Sequence, residues 1–353
     1  MQTAGAHLTY CTNIHPGESW DEVFENVRTH VLAVKARVAP REAFGVGLRL
    51  SALAARSLRE PGRLGAFKQF LAEHQLYVFT INGFPYGPFH GERVKAAVYR
   101  PDWSHDERVD YTLRLAEILS ALLPDGVDGT ISTSPLSYKA WDADLETCTA
   151  NVRRVDEGLR GTRIALAIEP EADGSLATVD ELIAWWPDGL ENVTICFDAC
   201  HSAVAYEEPE EALAALDEAG IRIGKAQLSA ALRLPVIARA ELERFADPIY
   251  LHQVTQRSAD GSLQSWPDLP QALDGYGGGE EWRVHFHVPI FLERYGKLES
   301  TQDHLREVIS RVRDRTSHLE IETYTWDVLP AELKASSVES IAREYEWVLD
   351  VLR

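Results

Sequence analysis

The chain has 353 residues, of which 45% are hydrophobic and 25% are charged, the composition of a globular protein with a large core. Its formal net charge of −20 at pH 7 opposes binding to the phosphates of a nucleic acid or to an anionic membrane surface. We therefore expect a small-molecule partner and no nucleic acid.

Short β-branched or aromatic segments alternate with longer amphipathic segments, which is typical of parallel βα units. The predicted strands span residues 7–13, 44–50, 76–82, 129–133, 164–169, 193–197, 221–228, 249–256, 283–291 and 318–323. Apolar residues at helical spacing predict one helix after Ser19 and others at 103–123, 145–159, 179–186, 210–219, 302–313 and 338–352. Ser19 is a suitable N-cap, because Asp21 and Glu22 follow in the first turn.

The predicted strands outnumber those of a (β/α)8 TIM barrel by two. We interpret strands 249–256 and 283–291 as an antiparallel β-hairpin, inserted at about residues 247–292 before the last barrel strand. The prediction is therefore one α/β TIM-barrel domain over residues 1–353. A doubly wound open sheet is the alternative, but no glycine-rich turn follows the first strand.

The sequence also indicates where the protein resides. Residues 1–10 lack the basic and apolar regions of a secretory signal, and no segment is apolar enough to span a membrane. The four cysteines (Cys11, Cys148, Cys196 and Cys200) form no C-x-x-C pair. We predict a cytoplasmic protein without membrane insertion, and leave open whether it forms a homo-oligomer.

Polar side chains end several predicted strands, at the barrel face where TIM-barrel chemistry takes place. Glu169 ends the fifth strand, Asp198 follows the sixth, and Glu322 lies at the end of the eighth. His201 comes three residues after Asp198, so a turn into a helix would bring both side chains to one ion. Carboxylates and imidazoles are ligands that divalent metals accept. The alternative is that Asp198 only caps a helix.

The seventh strand and the predicted hairpin carry further candidates. Lys225 and Gln227 share the strand face that we assign to the barrel interior. A buried lysine needs a partner, which is either an anionic group of a substrate or a carboxylate at the barrel rim. His285 and His287 lie on one face of a strand, within reach of one ion. For each histidine, a hydrogen-bonded structural role is the alternative.

These residues resemble the pattern of the xylose isomerase-like TIM barrels, which include sugar isomerases, ketose 3-epimerases and enzymes of the endonuclease IV type. The pattern has a Glu after strand five, Asp-x-x-His after strand six, His or Asp after strand seven and Glu after strand eight. Here it falls on Glu169, on Asp198 and His201, on Gln227 and on Glu322. More narrowly, segments 8–17, 80–90, 98–103 and 285–290 resemble the EboE family of metabolite-traffic proteins.

The resemblance implies a divalent ion (Mn, Mg, Co or Zn) bound by Glu169, Asp198, Gln227 and Glu322. The amide of Gln227 is a weaker donor than the expected His. His287, or else His252, is therefore expected to complete the site, unless the barrel has lost its metal.

The implied function is a metal-dependent isomerase or epimerase that acts on a sugar or cyclitol-type hydroxy-carbonyl metabolite through an enediolate. Glu169 and Glu322 would move the proton. The expected substrate-binding residues are His201, Asn82, Lys225 and His252. Two alternatives are an endonuclease IV-like metal-dependent phosphoester hydrolase and a non-catalytic metabolite-binding protein. A hydrolase of that kind needs two or three ions, and a carrier needs none.

Overall fold

The structure is a computed structural model that describes residues 1–90, 94–246, 248–275, 279–325 and 336–353. Eight parallel strands form the barrel. They are β1 (Ala6–Tyr10), β2 (Phe44–Arg49), β3 (Leu76–Asn82), β4 (Gly129–Thr133), β5 (Ile164–Ile168), β6 (Val193–Asp198), β7 (Ile223–Leu228) and β8 (His318–Ile321). Neighbouring strands pair in the order β1-β8-β7-β6-β5-β4-β3-β2, and a short strand, Gln2–Thr3, pairs antiparallel with β1. The predicted fold class is confirmed.

The barrel closes between β1 and β2 through side chains. In the part of the chain that the structure describes, the backbones of these two strands meet in the bridge between Cys11 and Gly47 rather than in a ladder. The Thr9 hydroxyl accepts a hydrogen bond from Gly47 N at 2.8 Å and donates one to Gly45 O at 2.9 Å. The Thr12 hydroxyl accepts from Arg49 N at 2.9 Å. Hydroxyl groups thus satisfy backbone groups that a ladder would otherwise pair.

Helices surround the barrel and its insertion. They are α1 (Trp20–Asn26), α2 (Leu32–Val38), α3 (Ala52–Leu58), α4 (Arg63–Glu73), α5 (Asp106–Leu122), α6 (Leu145–Gly158), α7 (Val179–Trp185), α8 (Ala199–Val204), α9 (Pro209–Ala219), α10 (Leu269–Asp274), α11 (Gln302–Val312) and α12 (Ser337–Val351). The predicted N-cap of α1 is confirmed, since Ser19 and Glu22 form a reciprocal capping box. The most amphipathic helices bury their apolar faces against the strands. This packing stabilises the barrel, and the candidate site lies at one end of it.

The insertion before β8 is larger than a hairpin. The two predicted strands do pair antiparallel, with Val254 opposite Val284. They belong, however, to a six-stranded antiparallel sheet in the order Leu263–Trp266, Val254–Arg257, Glu281–Val284, Leu232–Pro235, Leu298–Ser300 and Arg294–Tyr295. Residues 247 and 276–278 of the predicted insertion lie outside the described residues. The additional strands were missed because they have two to four residues, too few to show a clear alternation.

Strand ends also differ from the predictions in ways that matter for the site. β8 ends at Ile321, so Glu322 lies just beyond the strand. The predicted strand 283–291 ends at Val284, so His285 and His287 lie in an irregular segment rather than on one face of a strand. This segment is fixed by backbone hydrogen bonds from His285 N to Gln253 O at 2.9 Å and from Val288 N to Ala230 O at 3.0 Å.

Candidate metal centre

Three carboxylates meet at the C-terminal end of the barrel. Glu169 follows β5, Asp198 ends β6 and Glu322 follows β8. One oxygen of each lies within 4.8 Å of an oxygen of the other two, and the three residues are 2%, 3% and 4% exposed. The structure therefore brings together the three acidic residues that the sequence pattern selected.

Some oxygens of this cluster are held by the protein, and others are not. Asp198 Oδ1 caps α8 by accepting from His201 N at 2.8 Å, and it also accepts from the Ser229 hydroxyl at 2.8 Å. Glu322 Oε1 accepts from Asn13 Nδ2 at 2.6 Å and from Asn82 Nδ2 at 3.1 Å. Asp198 thus has the capping role that was the alternative to metal binding, and its second oxygen stays available.

Several buried polar atoms of the cluster have no hydrogen-bond partner among the described residues. They are Glu169 Oε2, Asp198 Oδ2 and both amide atoms of Gln227. Gln227 lies in register with Asp198 on the neighbouring strand. Buried polar groups without partners are costly and call for a ligand. An oxygen-binding cation fits these atoms, because carboxylate and amide oxygens are the donors that Mg²⁺ and Mn²⁺ accept.

The electrostatics of the cluster lead to the same conclusion. Burial raises the pKa of Glu169 well above its usual value, and the charges of Glu322 and Asp198 raise it further. Burial also raises the pKa of Glu322, with an added contribution from Asp198. Three carboxylates this close repel one another when ionised, so a cation between them would stabilise the ionised form.

Three imidazoles lie beside the carboxylates. His287 Nε2 is 3.0 Å from His285 Nε2 and 3.4 Å from His201 Nε2. His201 Nδ1 is 3.0 Å from Pro170 O, and His287 Nδ1 is 3.1 Å from Glu322 O. Because carbonyl oxygens only accept, the proton of each of these two rings lies on Nδ1, and Nε2 carries the lone pair.

The third ring has the same orientation. His285 Nδ1 is 2.7 Å from Gln253 Oε1, while Gln253 Nε2 donates to Ala172 O at 3.0 Å and so fixes the amide. The Nε2 lone pairs of His201 and His285 therefore both lie close to that of His287. These two Nε2–Nε2 distances, 3.4 Å and 3.0 Å, are close to the roughly 3.3 Å between two nitrogens on a tetrahedral zinc with Zn–N bonds of about 2.0–2.1 Å.

His285 and His287 are neutral at pH 7. Burial lowers the pKa of His287 to about 4 and lowers that of His285 well below its usual value. Neutral imidazoles bind a metal without first losing a proton. The Sγ of Cys200 lies within 4.8 Å of a ring nitrogen of His285 and of His287. A carboxylate oxygen of Glu171 lies within 4.8 Å of a ring nitrogen of His201 and of His285. We name His201, His285 and His287 the imidazole cluster.

Lys225 lies in the barrel interior, where it makes a salt bridge rather than a contact to the pocket. Its Nζ is 2.5 Å from Glu320 Oε2, and neither side chain is exposed. A salt bridge was one of the two alternatives for this lysine, but the partner lies inside the barrel and not at its rim. Burial alone lowers the pKa of Lys225, but the Glu320 carboxylate outweighs burial, and the pKa is raised.

The comparisons with known proteins support the fold. No protein-family model and no curated protein matches the sequence. A xylose isomerase-like TIM barrel protein from Mycobacterium smegmatis, solved in complex with magnesium, matches with a TM-score of 0.56 and 14% identity over 100% of this chain and 98% of that chain. A D-tagatose 3-epimerase-like protein matches with a TM-score of 0.55 and 11% identity over 98% of both chains.

A xylose isomerase domain protein from Planctomyces limnophilus matches with a TM-score of 0.51 and 14% identity, over 91% of this chain and 90% of that chain. The chain has the xylose isomerase-like TIM-barrel fold. Identities this low show the fold alone, and they leave the EboE resemblance a prediction. Among the described residues, no helix is long and apolar enough to cross a membrane.

The remaining predicted residues of this xylose isomerase-like barrel are placed as follows. Asn82 and His201 line the pocket above the carboxylates. His252 does not, because its ring stacks on Phe286 at 3.7 Å and its Nδ1 donates to His285 O at 2.9 Å. His252 therefore supports the segment that carries the imidazole cluster.

Sequence reasoning gave no role to two residues of the site, Asn13 and Glu171. Asn13 lies in the short 3-10 helix that follows β1, and Glu171 lies three residues after β5. Both thus follow barrel strands, which is the signal that identified Glu169 and Asp198 and that could have identified them.

Proposed function

We propose that the protein is a metal-dependent isomerase or epimerase that moves a proton next to the carbonyl of a polyhydroxylated metabolite. The observation that carries this proposal is the convergence of Glu169, Asp198 and Glu322 with buried, unpartnered oxygens. The fold adds support, since one solved relative of this fold is described as D-tagatose 3-epimerase-like and another is in complex with magnesium.

Glu169, Asp198 and Glu322 would hold the ion, and Gln227 would add its amide oxygen. A bound divalent ion supplies Lewis acidity that lowers the pKa of a C–H beside a carbonyl. The oxygen-only donor set favours Mg²⁺ or Mn²⁺.

The chain itself supplies the proton acceptor and donor. Glu169 and Glu322 follow different strands of the barrel, so one ionised carboxylate would accept a proton from the substrate carbon and the other, in its protonated form, would return one. Asn13 and Asn82 both donate to Glu322 Oε1. These two bonds fix the carboxylate, and neither of them involves Oε2. His201 would bind a substrate hydroxyl.

The imidazole cluster favours a second candidate, a phosphoester hydrolase with two or more ions. The Nε2 atoms of His201 and His285, each within 3.4 Å of His287 Nε2, are candidate nitrogen ligands that a one-ion isomerase does not need. Two ions a few ångströms apart are typical of phosphoryl-transfer sites. The number of bound ions separates the candidates, because a carrier needs none and the isomerase needs one.

The test is metal analysis followed by proton exchange. The protein is stripped with a chelator, titrated with Mn²⁺ and Zn²⁺ in a calorimeter, and compared with Asp198→Asn, which keeps the capping oxygen. The exposed Glu210→Gln variant is the matched control. We expect one tight Mn²⁺ site, weakened at least about 100-fold in Asp198→Asn and unchanged in the control.

Proton transfer is then followed by NMR as deuterium incorporation from D₂O into ketoses such as D-fructose and D-tagatose. We expect exchange that requires metal and is lost in Glu169→Gln. Equal metal affinity in the wild type and Asp198→Asn would contradict the site. Two tight ions together with cleavage of bis(4-nitrophenyl) phosphate would instead support the hydrolase.

The location of the protein in the cell is also part of the proposal. We place it in the cytoplasm, where its four buried cysteines, all unpaired, would stay reduced. Self-association and the EboE assignment stay predictions from the sequence.

A further inference from the structure

We infer that the substrate carries an apolar group opposite its metal-binding oxygens and has no phosphate. This inference rests on the proposed function, and it comes from the uneven chemistry of the pocket above the carboxylates. The polar lining of the pocket consists of Glu169, Glu171, Glu322, the imidazole cluster and two asparagines. The apolar lining, which we call the wall, includes Phe84, Phe89, Val94, Val98 and Leu251.

Aromatic rings close this wall. The ring centroids of Phe89, Tyr250 and Tyr324 lie 5.2–5.3 Å from one another, so the three rings pack as a cluster. The polar ends of the two tyrosines are engaged, since Tyr250 Oη is 2.8 Å from His90 Nδ1 and Tyr324 Oη is 3.4 Å from His285 Nε2. The rings therefore present mainly carbon to the pocket.

Lys95 is the cationic side chain among the described residues that line the pocket, and it is already paired with a carboxylate. Lys95 Nζ donates to Asp268 Oδ2 at 2.6 Å and to Tyr250 O at 2.6 Å. A phosphate would need at least one such donor facing it, and it would also have to approach buried carboxylates in a protein of net charge −20. Binding a sugar phosphate here would therefore be unfavourable.

The space in the pocket allows a small metabolite to lie against the apolar wall. The pocket has about 560 Å³ of space outside protein atoms, part of it open to solvent. A metabolite that binds the carboxylates would cover the aromatic faces of the wall. An apolar group on the substrate would be stabilised there, whereas hydroxyl or phosphate groups would lose hydrogen bonds to water.

The inference is tested with hydroxamates, which chelate divalent ions through two oxygens and vary in the group attached. The Mn²⁺-loaded protein is titrated calorimetrically with acetohydroxamate, hexanohydroxamate, D-erythronohydroxamate and 4-phospho-D-erythronohydroxamate. We expect hexanohydroxamate to bind at least about 10-fold more tightly than acetohydroxamate, since a buried methylene contributes up to about fourfold. The phosphate should improve binding less than about threefold.

A wall variant localises the effect. Val98→Asn should reduce the preference for hexanohydroxamate several-fold and leave the affinity for acetohydroxamate unchanged. Leu145→Asn, at an exposed leucine outside this pocket, is the matched control and should keep the full preference.

The outcomes separate this inference from the proposed function. If no hydroxamate binds in a metal-dependent manner, the proposed function is overturned. If acetohydroxamate binds only with Mn²⁺ but the phosphorylated compound gains more than 10-fold, or the hexanoyl group gains nothing, the metal site stands and the inference about the substrate is wrong.

Discussion

Two neighbouring groups of buried charges inside the barrel are neutralised in different ways. In the first group, Lys225 and Glu320 form an ion pair, and neither side chain is exposed. In the second group, Glu169, Asp198 and Glu322 converge, and within the described ranges no lysine or arginine pairs with them. In the first group, the counterion of Glu320 is Lys225. The second group has no lysine or arginine counterion among the described residues. This is the physical difference between a structural ion pair and a candidate site for a cation.

The backbone is adapted to the ion pair. A Cβ atom at Gly47 would lie 1.8 Å from Glu320 Oε1 and 2.6 Å from Tyr10 O. Any side chain at position 47 would therefore displace the carboxylate from Lys225. This glycine is needed for space at a strand contact and not for an unusual backbone conformation.

The largest effect should follow from breaking the ion pair. Lys225→Met leaves Glu320 buried without its cation, and we expect the free energy of unfolding in urea to fall by about 3–5 kcal/mol. The double variant Lys225→Met/Glu320→Leu should recover at least half of this loss, because it removes both charges. Lys139→Met, which breaks an exposed pair with Glu181, should change stability by less than about 1 kcal/mol. Equal losses in the two single variants would contradict a structural role for the buried pair.

A smaller effect, on metal affinity alone, should follow from removing a hydrogen bond to one of the three converging carboxylates. Asn82→Ala removes one donor to Glu322 Oε1, and we expect the affinity for Mn²⁺ to fall about 10–100-fold. Asn151→Ala removes another buried amide, which donates to Trp103 O outside the site, and should leave that affinity unchanged. If both variants bind Mn²⁺ like the wild type in calorimetric titrations, Glu322 does not ligate the ion.

The smallest effect concerns a buried carboxyl outside both groups. Glu344 accepts from the Thr323 hydroxyl at 2.6 Å and from Ile290 N at 3.2 Å, and burial raises its pKa to about 8. The folded protein then keeps this proton up to about pH 8, whereas the unfolded chain loses it near pH 4.5. Stability should therefore fall as pH rises across this window, by at most about 1.4 kcal/mol per pH unit from this group.

Glu344→Gln removes that contribution. Urea unfolding at pH 6 and pH 7.5 should show a smaller decrease with pH in Glu344→Gln than in the wild type, and the exposed Glu339→Gln should behave like the wild type. Parallel decreases in all three proteins would show that Glu344 is ionised in the folded state.

The barrel and the positions of its carboxylates could be predicted from the sequence because both follow from local rules. The run from Ile164 to Ile168 is apolar and stops at a carboxylate, and the same holds for the strand that ends at Asp198. Parallel barrel strands bring such ends to one face, so local sequence was sufficient. A salt bridge from Lys225 to a carboxylate was one of two alternatives, because alternation places Lys225 in the interior, but Glu320 was not predicted as its partner.

The inserted sheet and the imidazole cluster depend on contacts between distant parts of the chain. His285 and His287 were expected on a regular strand, where alternate side chains share a face. They meet instead through an irregular segment held by Gln253 and Ala230, which no local pattern encodes. His252 was expected to bind the metal or the substrate, and stacking on Phe286 directs it elsewhere. Among the described residues the amide of Gln227 has no hydrogen-bond partner, and its metal-binding role remains a prediction.

The inserted sheet divides the origin of the candidate ligands. Glu169, Asp198 and Glu322 follow from the barrel strands, whereas His285 and His287 come from the segment inserted between β7 and β8. Two of the three imidazoles therefore depend on a single connection of the barrel. A chain with a shorter insertion would keep the three carboxylates and His201 but lose His285 and His287, so this one connection would determine whether nitrogen donors are present for a second ion.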